Sequence, residues 1–160
     1  MHKGKKILGT MVVDLKAARC FGRVRNLIVD LEDRKILAVI LPGTTWLHAP
    51  TWFDFSNIQE LGTDVLTVNG LAEPVSTKAI EGIKGHLEKG IKKLWGLTVI
   101  SNKGKLVGYV EDLFIEIPGG SLAGIELSRG VLGDVLEGRG FVPAERILSL
   151  SLECVVVEEG

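Results

Sequence analysis

Cysteine is almost missing from this 160-residue chain, and the two present, Cys20 and Cys154, stand far apart with no C-x-x-C spacing. That excludes a disulfide framework and a thiolate metal knuckle. Histidine is as scarce: His2, His48 and His86 lack the i, i+4 or H-x-E spacing that brings two ligands to one metal, so no metal and no cofactor is expected. No histidine follows His86, which removes the reading of Gly119 to Gly124, GGSLAG, as a nucleophile elbow around Ser121. Gly133 to Gly140 also fails as a phosphate loop, because Arg139 stands where lysine is needed and a strand is expected afterwards. No catalytic set remains, and a non-enzyme is expected. The longest uncharged run, Ile36 to Phe53, is continuously apolar only as far as Leu41, and Pro42, Gly43, His48 and Pro50 break the rest. A membrane span needs about 20 apolar residues. The basic start, MHKGKKILGTMVVD, holds too short an apolar stretch before Asp14 for a signal peptide, so a cytoplasmic protein is expected.

What is present is apolar material, 46% of the residues, enough for a core and too much for disorder. It is arranged twice. Gly22 to Leu41 recurs as Gly108 to Leu127 at an offset of 86, with Gly22 on Gly108, Val24 on Val110, Leu27 on Leu113 and Leu41 on Leu127. In both copies one alternate set is apolar (Leu27, Val29, Leu31; Leu113, Ile115, Ile117), which is the period of a half-buried strand. Glu32 to Lys35 and Pro118 to Ser121 then read as hairpin turns. Asn26 and Asp112 hold equivalent places; a short polar side chain there is expected to bond nearby backbone.

Along the chain, Ile7 to Asp14 and Leu94 to Ser101 match as first strands at an offset of 87, and Ile36 to Leu41 matches Leu122 to Leu127. After a divergent loop the copies realign at an offset of 89, with Asn57-Ile58 on Arg146-Ile147. Each unit is five or six short strands with glycine-punctuated turns, which predicts a mostly β protein of two tandem small barrels. Ser76 to Lys89, with Ile80, Ile83 and Leu87 at helical spacing, predicts a short helical linker. The expected units are residues 5–70, a linker over 71–90, and residues 91–159.

The net charge of −1 conceals four blocks: residues 1–35 are net +5, 36–77 net −4, 78–105 net +5 and 106–160 net −7. Each half is therefore a dipolar unit able to stack end to end or to offer a basic face to a polyanion; solubility patterning with Lys-rich linkers would give the same distribution.

Taken together, the residues resemble the PRC-barrel family, known from the cytoplasmic part of the photosynthetic reaction-centre H subunit and the C-terminal half of the 16S rRNA maturation factor. The resemblance rests on a leading G-x-x-V strand (Gly9 to Val12; Gly96 to Val99), then G-x-V-x-[ND]-L (Gly22 to Leu27; Gly108 to Leu113), a turn, an apolar strand, and F-V-P-A-E-R-I at Phe141 to Ile147. The first copy has Phe53-Asp54-Phe55-Ser56-Asn57-Ile58 in place of the last segment. The resemblance implies a module for assembly and protein contact and supplies no catalytic residues.

Two candidate surfaces follow from the sequence. Ile28, Ala38 and Ile40 alternate away from the expected barrel interior of Leu27, Val29, Leu37, Val39 and Leu41, and with Trp46, Trp52 and Phe53 they form a candidate protein-contact patch. Lys3, Lys5, Lys6, Arg19, Arg23 and Arg25 form a candidate polyanion contact. The leading expectation is an adaptor that holds a protein partner or its own copy, a homodimer included. Two alternatives are an RNA-associated accessory factor resembling the maturation-factor barrel, and a peripheral subunit of a photosynthetic or other membrane complex.

Overall fold

The computed structural model describes residues 1–43, 47–71, 74–76, 89–128 and 140–159. It opens with β1 (His2–Lys3) and α1 (Gly4–Ile7). The first unit continues with β2 (Met11–Asp14), β3 (Arg19–Arg23), β4 (Asn26–Asp30), β5 (Lys35–Leu41), β6 (Thr51–Asp54), β7 (Ile58–Leu61), β8 (Val65–Val68) and β9 (Val75–Ser76). These make two four-stranded sheets, ordered β3-β2-β8-β7 and β4-β5-β6-β9. The second unit holds β10 (Thr98–Ser101), β11 (Leu106–Ile115), β12 (Leu122–Leu127), β13 (Phe141–Pro143), β14 (Ile147–Leu150) and β15 (Cys154–Val157), ordered β13-β12-β11-β10-β15-β14.

The duplication is literal at the level of register. The first strand of each unit pairs in parallel with the last, Met11 on Val65 and Thr98 on Cys154. The β4–β5 hairpin pairs Leu27 with Val39 and Ile28 with Ala38, then jumps to Val29 with Ile36, leaving Leu37 as an extra residue. The β11–β12 hairpin makes the same jump, from Phe114 on Gly124 to Ile115 on Leu122, leaving Ala123 extra. A β-bulge sets two residues against one and shifts the in-out alternation by a place. Leu37 is accordingly not an interior residue: it packs on Ile28, Ala38 and Ile40, and Ile36 takes its place in the core. Leu27, Val29, Leu113 and Ile115 are buried as strand alternation requires, and Leu31 and Ile117 are partly buried where the strands run into their turns.

The expected closed barrels are open paths of hydrogen-bonded strands among the described residues. The open edges are not bare. β1 lies along β11, with His2 on Ile115 and Lys3 on Phe114, and Gly90 bridges to Ile28 of β4. Each unit therefore has an exposed edge covered by a segment that belongs to the other. The interior is also joint: Ile7, Leu27, Phe55 and Leu66 fall in one apolar cluster with Ile91, Leu94, Leu113, Ile125 and Val155. Units of about 65 residues bury too little surface to be robust alone, and a shared core answers that deficit. Of the expected linker helix, Ser76 to Lys89, Ser76 ends β9 and residues 77–88 lie outside the described residues, as does most of the Gly133 to Gly140 loop.

Candidate functional site

The two covering segments, residues 3–9 and 90–96, are the same piece of sequence at an offset of 87, and they exchange places about a pseudo-two-fold axis. One end of the axis is marked by Gly4, whose missing Cβ leaves room for the Ile91 side chain, its own counterpart. At the other end Lys35 bridges to its counterpart Ser121. The flanking bonds are reciprocal, the Ile36 N–H donating to the Gly120 carbonyl at 2.8 Å and the Leu122 N–H to the Arg34 carbonyl at 2.9 Å. An isologous contact of this kind is how two identical chains form a dimer, and here it joins two halves of one chain.

On the second unit the covering segment is tied by charge. Lys3 Nζ lies 2.9 Å from Glu126 and also 5.7 Å from the centroid of Phe114, and that carboxylate bond holds the ammonium above its ordinary pKa. Lys5 Nζ lies 2.8 Å from Glu111, whose carboxyl it holds below the usual range, and 5.1 Å from the centroid of Trp95. The Lys5 N–H donates to both carboxylate oxygens of the buried Asp112, at 3.1 and 3.3 Å, while Asp112 also accepts from the Leu113 N–H at 2.8 Å. Beneath lie Phe114 and Phe141, edge to face with centroids 5.2 Å apart. The Phe141 ring occupies the space a side chain at Gly124 would need. His2, opposite Ile115 in the register, has its pKa lowered, first by burial and then by the positive terminus and Lys6.

The first unit covers the same face differently. Ile28, Ala38 and Ile40 are buried, with Leu37 and Trp52 packed on them and Gly90 bridged to Ile28. Phe53 is buried in the main core rather than in this cluster, and Trp46 lies outside the described residues. The Trp52 indole N–H is buried without a hydrogen-bond partner. Asn26, at the place of Asp112, accepts from the Leu27 N–H at 2.9 Å and lies against Gly90. Both polar residues bond nearby backbone, and Asp112 in addition reaches across to the other unit's covering segment.

The six basic residues grouped by sequence are divided by the fold. Lys3 and Lys5 are ion-paired on the second unit; Lys6 and Arg25 are exposed; Arg23 donates to the Gly9 carbonyl at 2.9 Å; Arg19 lies 5.0 Å from the Phe21 ring centroid. Other buried polar groups serve the backbone. The Asp14 carboxylate accepts from the N–H groups of Lys16, Ala17, Gly70 and Leu71 at 2.9 to 3.2 Å, and these bonds, the Gly70 one foremost, hold its pKa below the usual range. Its counterpart Ser101 accepts from the Lys103 and Lys105 N–H groups.

Sequence reasoning missed Arg34, which reaches from the first hairpin turn to the carbonyls of Ile147 and, at 2.9 Å, Leu148. It also missed Lys92 and Lys93, the counterparts of Lys5 and Lys6. The signal was available in the offset of 87, which places all four on one repeated segment.

Comparison with known proteins likewise finds one domain twice in this chain. The family model for the PRC-barrel domain matches residues 1–73 and again 87–159. An uncharacterized protein of Clostridium acetobutylicum is 33% identical over 67 residues, covering 37% of this chain and 74% of that protein. No helix among the described residues is long and apolar enough to cross a membrane.

Proposed function

The chain belongs to the PRC-barrel domain family, and we propose that it is a non-enzymatic, cytoplasmic adaptor that holds a protein partner or a second copy of itself. The observation that carries this reading is the manner in which its halves meet. Each accepts a foreign segment along a strand edge and completes a common apolar interior with it. This is recognition by strand addition, in which main-chain bonds supply affinity and side-chain pockets supply register. The buried polar side chains Asp14, Ser101 and Asp112 are engaged with backbone amides, which is structural employment and leaves them poorly placed for proton transfer.

The RNA-associated reading is weaker, because Lys3 and Lys5, the head of the basic stretch, are matched to carboxylates of the second unit. Light scattering across concentration and a salt titration against a generic RNA distinguish the two. The adaptor reading expects a stoichiometric complex with protein, its own copy included, and weak RNA binding. A chain that stays monomeric with every protein offered and binds RNA tightly, with a steep fall of log K against log salt, would sink it.

A further inference from the structure

The two covered faces share a backbone plan and differ in charge. On the second unit Lys3 and Lys5 meet three acids, Glu111, Asp112 and Glu126, and the Trp95 ring lies beside Lys5. At the equivalent places on the first unit stand Arg25 for Glu111, Asn26 for Asp112, Ile40 for Glu126 and Leu8 for Trp95. The covering segment there keeps two of its three cations, Lys92 and Lys93 in the places of Lys5 and Lys6, with Gly90 in the place of Lys3, so that the partner of Glu126 is lost along with the Glu126 charge itself. Every group that neutralises the segment on one unit is replaced on the other, and one acid is replaced by a cation.

That the backbones superpose in role is fixed by contacts on both sides: Lys3 pairs with Phe114 where Gly90 pairs with Ile28, and Asn26 lies against Gly90. Arg25, Lys92 and Lys93 are all exposed, and none makes an ion pair among the described residues. Asn26 has its carbonyl oxygen occupied by the Leu27 N–H, and its NH2 group lies against Gly90. Equivalence with the Lys5–Glu111 pair sets Lys92 toward Arg25, and like charges brought together without a counter-ion are unfavourable unless solvent or a ligand screens them.

We propose that the corner where Lys92 meets Arg25 is an anion site that takes a phosphate group, at the place corresponding to the Glu111 carboxylate of the second unit. A guanidinium presents a planar fork that matches two phosphate oxygens, and an ammonium adds a point charge without directional demand. A single carboxylate would meet only one of the two positive charges, whereas a doubly charged phosphate offsets both. The phosphate belongs either to a free ligand or to a phospholipid headgroup.

The test uses the full chain, with pyrophosphate as the free probe and sodium chloride at matched ionic strength as control. Thermal midpoint and phosphorus NMR line width report the free probe; co-sedimentation with phosphatidylglycerol vesicles, against phosphatidylcholine, reports the headgroup. Arg25→Glu installs the residue type the second unit already carries and is expected to weaken binding by about tenfold or more while leaving the unliganded midpoint no lower. Lys92→Gln, at another exposed position, is expected to weaken it as well. A response to pyrophosphate alone assigns a free phosphate, and a response to phosphatidylglycerol alone assigns a headgroup. No response above the salt control, or equal binding by wild type and both variants, overturns the site.

Discussion

The two units of this chain are the same design with opposite solutions at the places where they touch. Phe55, fully buried in the first unit, lies against Gly120, where an added Cβ would come within 2.7 Å of the Phe55 ring. Their counterparts reverse the sizes: Ala144 stands for Phe55, and Arg34 for Gly120, with the arginine reaching the backbone of β14 instead. Both turn residues have positive φ, 51° at Arg34 and 86° at Gly120. Only at Gly120 does a close aromatic neighbour also demand the missing Cβ. The outer faces diverge likewise, one aliphatic and buried, the other an aromatic pair roofed by ion pairs. Once two copies share one chain, each contact between the halves needs to be satisfied only once, so the sides are free to specialise.

The sharpest way to break the comparison is to cut into the core the units share. Leu27→Ala and Leu113→Ala, equivalent and both fully buried, should each cost about 2 to 5 kcal/mol through the cavity left behind. Because the interior is continuous, urea should unfold both halves in one transition, with fluorescence dominated by Trp52 or by Trp95 giving the same midpoint. Two separated midpoints would show independent domains.

A smaller effect is expected on the outer faces. Gly124→Ala would drive a methyl to about 2.6 Å from the Val142 carbonyl oxygen and against the Phe141 ring, and should destabilise by about 1 to 3 kcal/mol. The reverse exchange on the first unit, Ala38→Gly, should cost only about 0.5 to 1 kcal/mol, the backbone-entropy difference, with a small packing loss added. Equal losses in chemical denaturation would mean that the two faces are packed alike after all.

The smallest effect appears only in acid. The folded-state pKa of Asp14 lies below its ordinary value, so the stability it contributes is present at neutral pH and is lost as pH falls through that lowered value. Asp14→Asn should therefore flatten the decline in thermal midpoint below about pH 4, whereas Ser101→Ala at the equivalent place should leave it unchanged. Identical acid profiles for wild type and Asp14→Asn would remove the carboxylate from the account.

Much of this was legible beforehand because it is local. The period-two pattern of Leu27, Val29, Leu113 and Ile115, the hairpin turns and the 86-residue repeat are one-dimensional signals, and the strands follow them. The reading failed at Leu37, because a bulge moves one residue without leaving a mark in the polarity pattern. The ion pairs of Lys3 and Lys5 were not legible either, because their carboxylates lie more than a hundred residues away, whereas Arg19, Arg23 and Arg25 stand near them in sequence.

By itself, then, the sequence determined that this is a duplicated, strand-rich PRC-barrel chain, since alternation, glycine placement and repeat spacing act over a few residues at a time. Only the tertiary structure decided that the copies exchange their leading segments, that Asp112 holds the Lys5 amide while Asn26 lies against Gly90, and that Lys3 and Lys5 meet carboxylates of the second unit. Those outcomes depend on which edge meets which. Such choices are settled by the joint packing of distant segments, where the energy of a contact exists only after both halves are in place.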